Sequence, residues 1–260
     1  MLNRRHIRVK VMQSIYAMDC KPQASLPAEE KFIDESLQQV YHLYLLLLDL
    51  MVEVHAFAKA RQEKNAKKIL ATESDINPNT KFINNQVLVK LASNKLLQDA
   101  LDKRKLKNWR LDDEYVALIY NALEASDCYQ DYMNSGPTDF KEDRSFVIQF
   151  YTEVLAPNDK LYDYLEDKQL TWLDDLPLVN MAVLKRLQKL KPTSPESVLL
   201  PALYKNEDDR AFGRELLSQT VGHDDFLTKE ISNNNELKKW SEIDRKVYEL
   251  IYQKFQYYKK

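Results

Sequence analysis

Glycine is nearly absent from this chain. Only Gly136, Gly213 and Gly222 occur in 260 residues. Sheet proteins use glycine in tight turns and bulges, and phosphate-cradling loops use it more heavily. The scarcity predicts an all-α protein and excludes a nucleotide site built on a glycine-rich loop. Cysteine is scarce too. Cys20 and Cys128 lie far apart, with no Cys or His at a metal-ligand spacing. They read as two reduced thiols in a cytoplasmic protein with no cofactor. Long apolar runs are also missing. The most apolar stretch, 43–54, is interrupted by Asp49 and Glu53 and is short of the ~20 residues of a membrane span, so it predicts a buried helix. Charge begins at Arg4 and no apolar run follows before Lys21, which predicts no secretory signal.

What the chain has is a concentration of positive charge at its start. Arg4, Arg5, Arg8, Lys10 and Lys21 against Asp19 give residues 1–21 a net charge of +4, whereas the whole chain carries −2. The segment MLNRRHIRVKVMQSIYAMDC reads as an amphipathic helix. Ile7, Val11, Ile15 and Met18 recur at steps of four, four and three, the spacing of one helix face. Arg5, Arg8, Met12 and Tyr16 form a neighbouring stripe, with Arg4 and Gln13 close by. Guanidinium groups beside an aromatic ring suit RNA. They fork onto phosphate, and both kinds of group stack on unpaired bases.

Further along, helical periodicity predicts helices over 28–70, 82–107, 109–133, 140–155, 158–168, 178–190, 206–220, 224–233 and 237–258. Ser25 is a candidate N-cap for the first of these, and Gly136-Pro137 stops the third. The run Trp172 to Pro177 caps and starts the helix over 178–190. No repeat, low-complexity tract or convincing strand is present.

The N-terminal order Arg4-Arg5-x-x-Arg8 followed by Met12-Gln13-Ser14-Ile15-Tyr16 resembles the start of the NusB transcription antitermination family. Similarity to the long, insertion-containing subgroup extends through several segments. These are Ser126-Asp127-x-Tyr129-x-x-Tyr132, Glu142-Asp143, Trp172 to Pro177, Asp208-Asp209…Phe212 and Trp240-x-x-x-Asp244-Arg245. After Arg245 the chain runs VYELIYQKFQYYKK, without the family's closing segment. The resemblance implies NusB-like helical bundles with inserted helices. It divides the chain into a basic helix (1–20), an inserted region (21–140) and a C-terminal bundle (141–260) shortened at its end, or one continuous domain. It implies no catalysis. It implies binding of single-stranded box A RNA in ribosomal RNA leaders, with the ribosomal protein NusE, within an RNA polymerase antitermination complex and away from membranes. Carried over by position, Arg4, Arg5, Arg8, Gln13 and Tyr16 would meet the RNA.

Competing readings stand beside this one. The arginines can instead be read as a solvated basic tail, Tyr16 as a half-buried core residue and Gln13 as a side chain facing water. Basic patches at 59–68, 103–110 and 185–191 complement helix C-termini. The acidic pairs Asp112-Asp113, Asp174-Asp175, Asp208-Asp209 and Asp224-Asp225 offer an enzyme reading. Neighbours on a helix point about 100° apart, however, and helix starts attract acids anyway. The histidines His6, His42, His55 and His223 show no ligand spacing. The alternative function is a helical protein–protein adaptor without RNA binding, for which the 15 tyrosines provide contact surface.

Overall fold

The computed structural model describes residues 1–20, 25–70, 72–206, 208–223 and 226. The helix expected over 237–258, all of that over 224–233 except Phe226, and the Trp240 to Arg245 motif lie outside them. The fold is all-α. In chain order the helices are α1 (Arg4–Asp19), α2 (Leu26–Ala66), α3 (Glu73–Ile76), α4 (Gln86–Ala92), α5 (Lys95–Lys103), α6 (Asn108–Leu111) and α7 (Asp113–Glu124). Then follow α8 (Asp127–Asn134), α9 (Phe140–Gln149), α10 (Asp159–Lys168), α11 (Trp172–Lys189) and α12 (Asp208–Gly222). A π-helical turn (Phe150–Leu155) follows α9, and a 3-10 turn (Glu196–Leu199) follows α11. Among the described residues the one β-type pairing is an isolated bridge between Leu2 and Tyr204.

Among the described residues periodicity located the helices other than α3 but merged several of them. The helix expected over 82–107 is two, because Asn94 restarts the chain by accepting the Leu97 N–H (2.9 Å). The helix expected over 109–133 is three. Ser126, which fits its apolar stripe by spacing, is instead the N-cap of α8 and accepts the Tyr129 N–H. Small polar side chains compete for backbone donors and so favour helix starts over helix interiors. In the other direction, α11 begins six residues before the expected 178 and runs through Pro177. The proline forfeits one backbone bond. Burial of Trp172, Leu176, Val179 and Val183 holds the helix on either side of it.

Contacts divide the chain into two compact units, Met1–Gln38 with Ala202–Lys260, and Gln39–Pro201. This differs from the expected boundaries at 20 and 140, because the start of the chain pairs with a segment about 200 residues later. The Leu2 N–H donates to the Leu203 carbonyl (2.7 Å), and the Met1 ammonium donates to the Ala202 carbonyl (2.5 Å).

The second unit is built on residues 39–66 of α2. Leu43 to Leu48, Leu50, Met51 and Val54 are buried there. Within its 41 residues, α2 is long and apolar enough by composition to cross a bilayer, although the 43–54 run alone is not; 72% of its most apolar window is buried inside the protein, as in a core helix. Aromatic side chains anchor neighbours to its backbone and to the loops around it. Trp109 Nε1 donates to the Leu46 carbonyl (2.8 Å), Trp172 Nε1 to the Gln39 carbonyl (3.0 Å), and Tyr44 Oη to the Leu199 carbonyl (2.6 Å).

A buried polar network ties α4, α8 and α9 together. Asp143 accepts from Tyr132 Oη (2.7 Å), Thr138 Oγ1 (2.6 Å) and the Gln86 N–H (2.8 Å). Asn85 donates to Tyr132 Oη (3.0 Å) and accepts from the Val87 and Leu88 N–H groups. Glycine scarcity leaves a trace at the end of α5. Lys105 adopts a φ of 56° there, with its N–H on Asp102 and the Leu106 N–H on Leu101, a terminator that usually takes glycine.

Candidate functional site

The first unit holds the residues that the sequence singled out. Asn3 starts α1 by accepting the Arg5 and His6 N–H groups (3.0 and 3.2 Å). His6 Nδ1 in return lies 3.4 Å from the Asn3 N–H. Burial, then the Arg5 charge, then the N-terminal ammonium lower the His6 pKa. The ring is therefore neutral at physiological pH and accepts that bond.

The buried arc of α1 comprises Ile7, Arg8, Lys10, Val11 and Ser14, with Ile15 and Met18 half-buried. It faces α12. Gly213 allows the close approach. A Cβ there would lie 3.1 Å from Ile7 Cγ2 and 3.5 Å from Ile33 Cγ2 of α2. This is the one glycine whose small size the packing uses.

The five predicted residues separate into two groups. At about 100° per residue, Arg5, Val9 and Tyr16 fall within about 20° of the line opposite Ile7. They are the exposed side of the helix: Arg5 is exposed, Val9 is 41% exposed and Tyr16 is 68% exposed. Gln13 is half-buried on the flank of this line. Arg8 behaves differently from the stripe expected for it. It is only 7% exposed, and its guanidinium lies over the Phe212 ring, 5.4 Å from the centroid. Its Nε has no hydrogen-bond partner. Arg4 lies over the same ring at 4.9 Å and donates from Nε to Asp209 Oδ1 (2.8 Å). The other carboxylate oxygen, Asp209 Oδ2, accepts the Asn206 N–H (3.3 Å), and Asp209 is 1% exposed. Thus two of the three arginines meet α12, and one points to solvent.

Phe212 and Asp209 sit at positions i+3 apart on α12 and were not predicted as site residues. Their segment stood out in sequence, but nothing local signals that it meets α1.

The other basic patches are built into the fold through their arginines. Arg61 pairs with Glu124 (3.3 Å) and lies over Tyr120. Arg104 lies over Tyr41 and donates to the Ala100 carbonyl. Arg110 reaches Glu53 at 3.4 Å, and Arg186 caps the Val198 carbonyl (3.3 Å). The lysines at 59, 64, 67, 68, 103, 105 and 107 are exposed.

Of the acidic pairs, Asp112 is held by Lys168 Nζ (2.9 Å) and then Tyr164 Oη (2.8 Å), which lower its pKa. Asp174-Asp175 and Asp208-Asp209 occupy first turns of helices, and Asp224-Asp225 lies outside the described residues. Among the described residues no three His, Cys, Asp or Glu side chains converge as metal ligands. In the second unit a cavity of about 400 Å³ opens beside Cys128, Tyr132, Thr138, Glu142 and Phe146. Burial pushes the Cys128 thiol pKa up. None of the predicted site residues lines this cavity.

Comparison of the chain with family models, with curated proteins and with solved structures finds no match.

Proposed function

We propose that this protein binds single-stranded RNA through α1 and acts, without catalysis, as a cytoplasmic transcription antitermination factor. Its ligand is box A-type RNA of ribosomal RNA leaders, and its partners are the ribosomal protein NusE and the RNA polymerase antitermination complex. One observation carries the RNA part of this reading: Arg5 and Tyr16 project along a single exposed line of a helix that opens a strongly basic segment. A guanidinium supplies affinity through phosphate, and an exposed ring supplies a stacking surface for an unpaired base. Gln13, on the flank, has an amide able to read a base edge. Arg4 and Arg8 add positive charge from positions fixed against α12. The transcriptional assignment rests on the resemblance of the segment from Arg4 to Tyr16 to the NusB family.

The test is titration of a box A-type 12-mer and a scrambled control across salt. At about −0.7 per neutralised phosphate, the slope of log K against log salt is expected to be roughly −1.4 to −2. Arg4/Arg5/Arg8→Ala should lose most of that slope. Tyr16→Leu should keep the slope and lose about 1–3 kcal/mol of affinity. A preference for box A over the scramble supports the transcriptional assignment. Absence of binding to either RNA, with and without NusE, rejects the reading. A protein–protein adaptor would then lead, a role favoured by Val9, which lies between Arg5 and Tyr16 and gives the exposed line an apolar centre.

A further inference from the structure

We propose that Asp209 and Phe212 of α12 are positioning residues for RNA binding. They act through Arg4 and Arg8, holding both guanidinium groups where they receive a single phosphodiester group. This inference rests on the RNA reading above and extends it to two residues on another helix.

The geometry is that of a clamp. Arg4 spends only its Nε on Asp209, at 2.8 Å. Its Nη atoms make no hydrogen bond to a described residue, and its side chain keeps 32% of its surface exposed. The fork of the guanidinium is therefore oriented while its outer edge stays accessible. Asp209 is itself fixed, because its second oxygen accepts the Asn206 N–H and its side chain is 2% exposed. The carboxylate thus sets the place of Arg4 and does not follow it.

Arg8 supplies the second observation. It lies over the same ring, is 93% buried by its 7% exposure, and leaves Nε without an acceptor. A buried, unpartnered donor is costly unless an acceptor arrives. Both guanidinium groups lie over one ring and only Arg4 is paired with a carboxylate, which leaves the Arg8 charge in excess, and a phosphodiester carries one negative charge. Such preorganisation means the arginine side chains lose their rotamer freedom on folding, before RNA is met.

The experiment uses the full chain and four proteins: unmodified, Asp209→Asn, Asp209→Ala and Phe212→Leu. In the free proteins, the Arg4 Nε–Hε signal is followed by NMR. It should be resolved in the unmodified protein and in Asp209→Asn, which keeps an oxygen acceptor. It should broaden in Asp209→Ala and Phe212→Leu. Binding of the box A-type 12-mer is then measured across salt, beside thermal melting. Asp209→Ala and Phe212→Leu should weaken binding about 3–10-fold with the salt slope unchanged, because the same phosphate is neutralised by a less ordered group. Asp209→Asn should bind at least as tightly as the unmodified chain.

A purely structural role predicts affinity that tracks melting temperature in all three variants, and that result overturns the proposal. Unchanged affinity in Asp209→Ala also overturns it, as does tighter binding in both Asp209 variants, which would make the carboxylate a competitor of RNA. If the unmodified chain binds no RNA, the functional reading itself falls and this proposal with it. Binding that is indifferent to the clamp removes the proposal alone.

Discussion

The two units treat buried polar groups differently. In the unit Gln39–Pro201, buried Asn85, Asn94 and Asp143 are all hydrogen-bonded, and Asp143 alone gathers three donors. In the unit that contains α1 and α12, Arg8 Nε, Ser14 Oγ and Ser36 Oγ are buried with no partner. A satisfied network specifies one arrangement and rigidifies it, whereas an unsatisfied one leaves free energy unrealised. The first kind suits a scaffold. The second kind sits in the unit that carries the basic helix, beside a buried Asp209 that is itself bonded through both oxygens.

The largest expected effect breaks the satisfied side of this comparison. Asp143→Ala strands Tyr132, Thr138 and the Gln86 N–H at a site only 2% exposed. Urea unfolding should show a loss of ~3–5 kcal/mol. A loss under 1 kcal/mol would mean the network is not what holds α4, α8 and α9 together.

Next comes Gly213→Val, which tests whether close apolar packing compensates for unsatisfied groups in the other unit. A Cβ at 3.1 Å from Ile7 already requires adjustment, and two further methyl groups deepen the clash. Destabilisation of ~2–3 kcal/mol is expected by the same measurement.

Asp49 is the exception within the scaffold. Burial, with Glu53 and Asp102 nearby and only Arg110 opposing, raises its pKa to about 7. The folded state then holds a proton that the unfolded state releases near pH 4. The resulting contribution to stability is full below about pH 4 and is lost as pH rises through about 7. Asp49→Asn should remove this dependence and stabilise the protein by ~1–3 kcal/mol at pH 8, with little change at pH 4. Melting at the two pH values checks it, and an equal effect at both would show that charge is not the cause.

The smallest effect sharpens the contrast. Ser14→Ala and Ser36→Ala each delete a buried hydroxyl that bonds to nothing, so stability should stay level or rise by up to ~1 kcal/mol. Loss comparable to that of Asp143→Ala would erase the distinction between the units.

The outward line of α1 was within reach of the sequence. A helical wheel centred on Ile7 already sets Arg5 and Tyr16 opposite the core, and it puts Arg8 between core and solvent. The stripe drawn through Arg5, Arg8, Met12 and Tyr16 missed this because steps of three and four drift around the helix. Asn94 and Ser126 carried a legible signal as N-cap residues, but apolar spacing continues across such breaks and hid them. That the segment of Asp209 and Phe212 meets α1 had no local signal.

By itself the sequence determined that the fold is helical, because a chain with three glycines lacks the turns a sheet needs. It also determined that positive charge gathers on the first helix. Only the tertiary structure decided that Arg4 and Arg8 meet Phe212 and that Arg4 meets Asp209. Arg4 and Asp209 are 205 positions apart in the chain, and a contact so distant follows from the packing of α1 on α12, which no local pattern encodes.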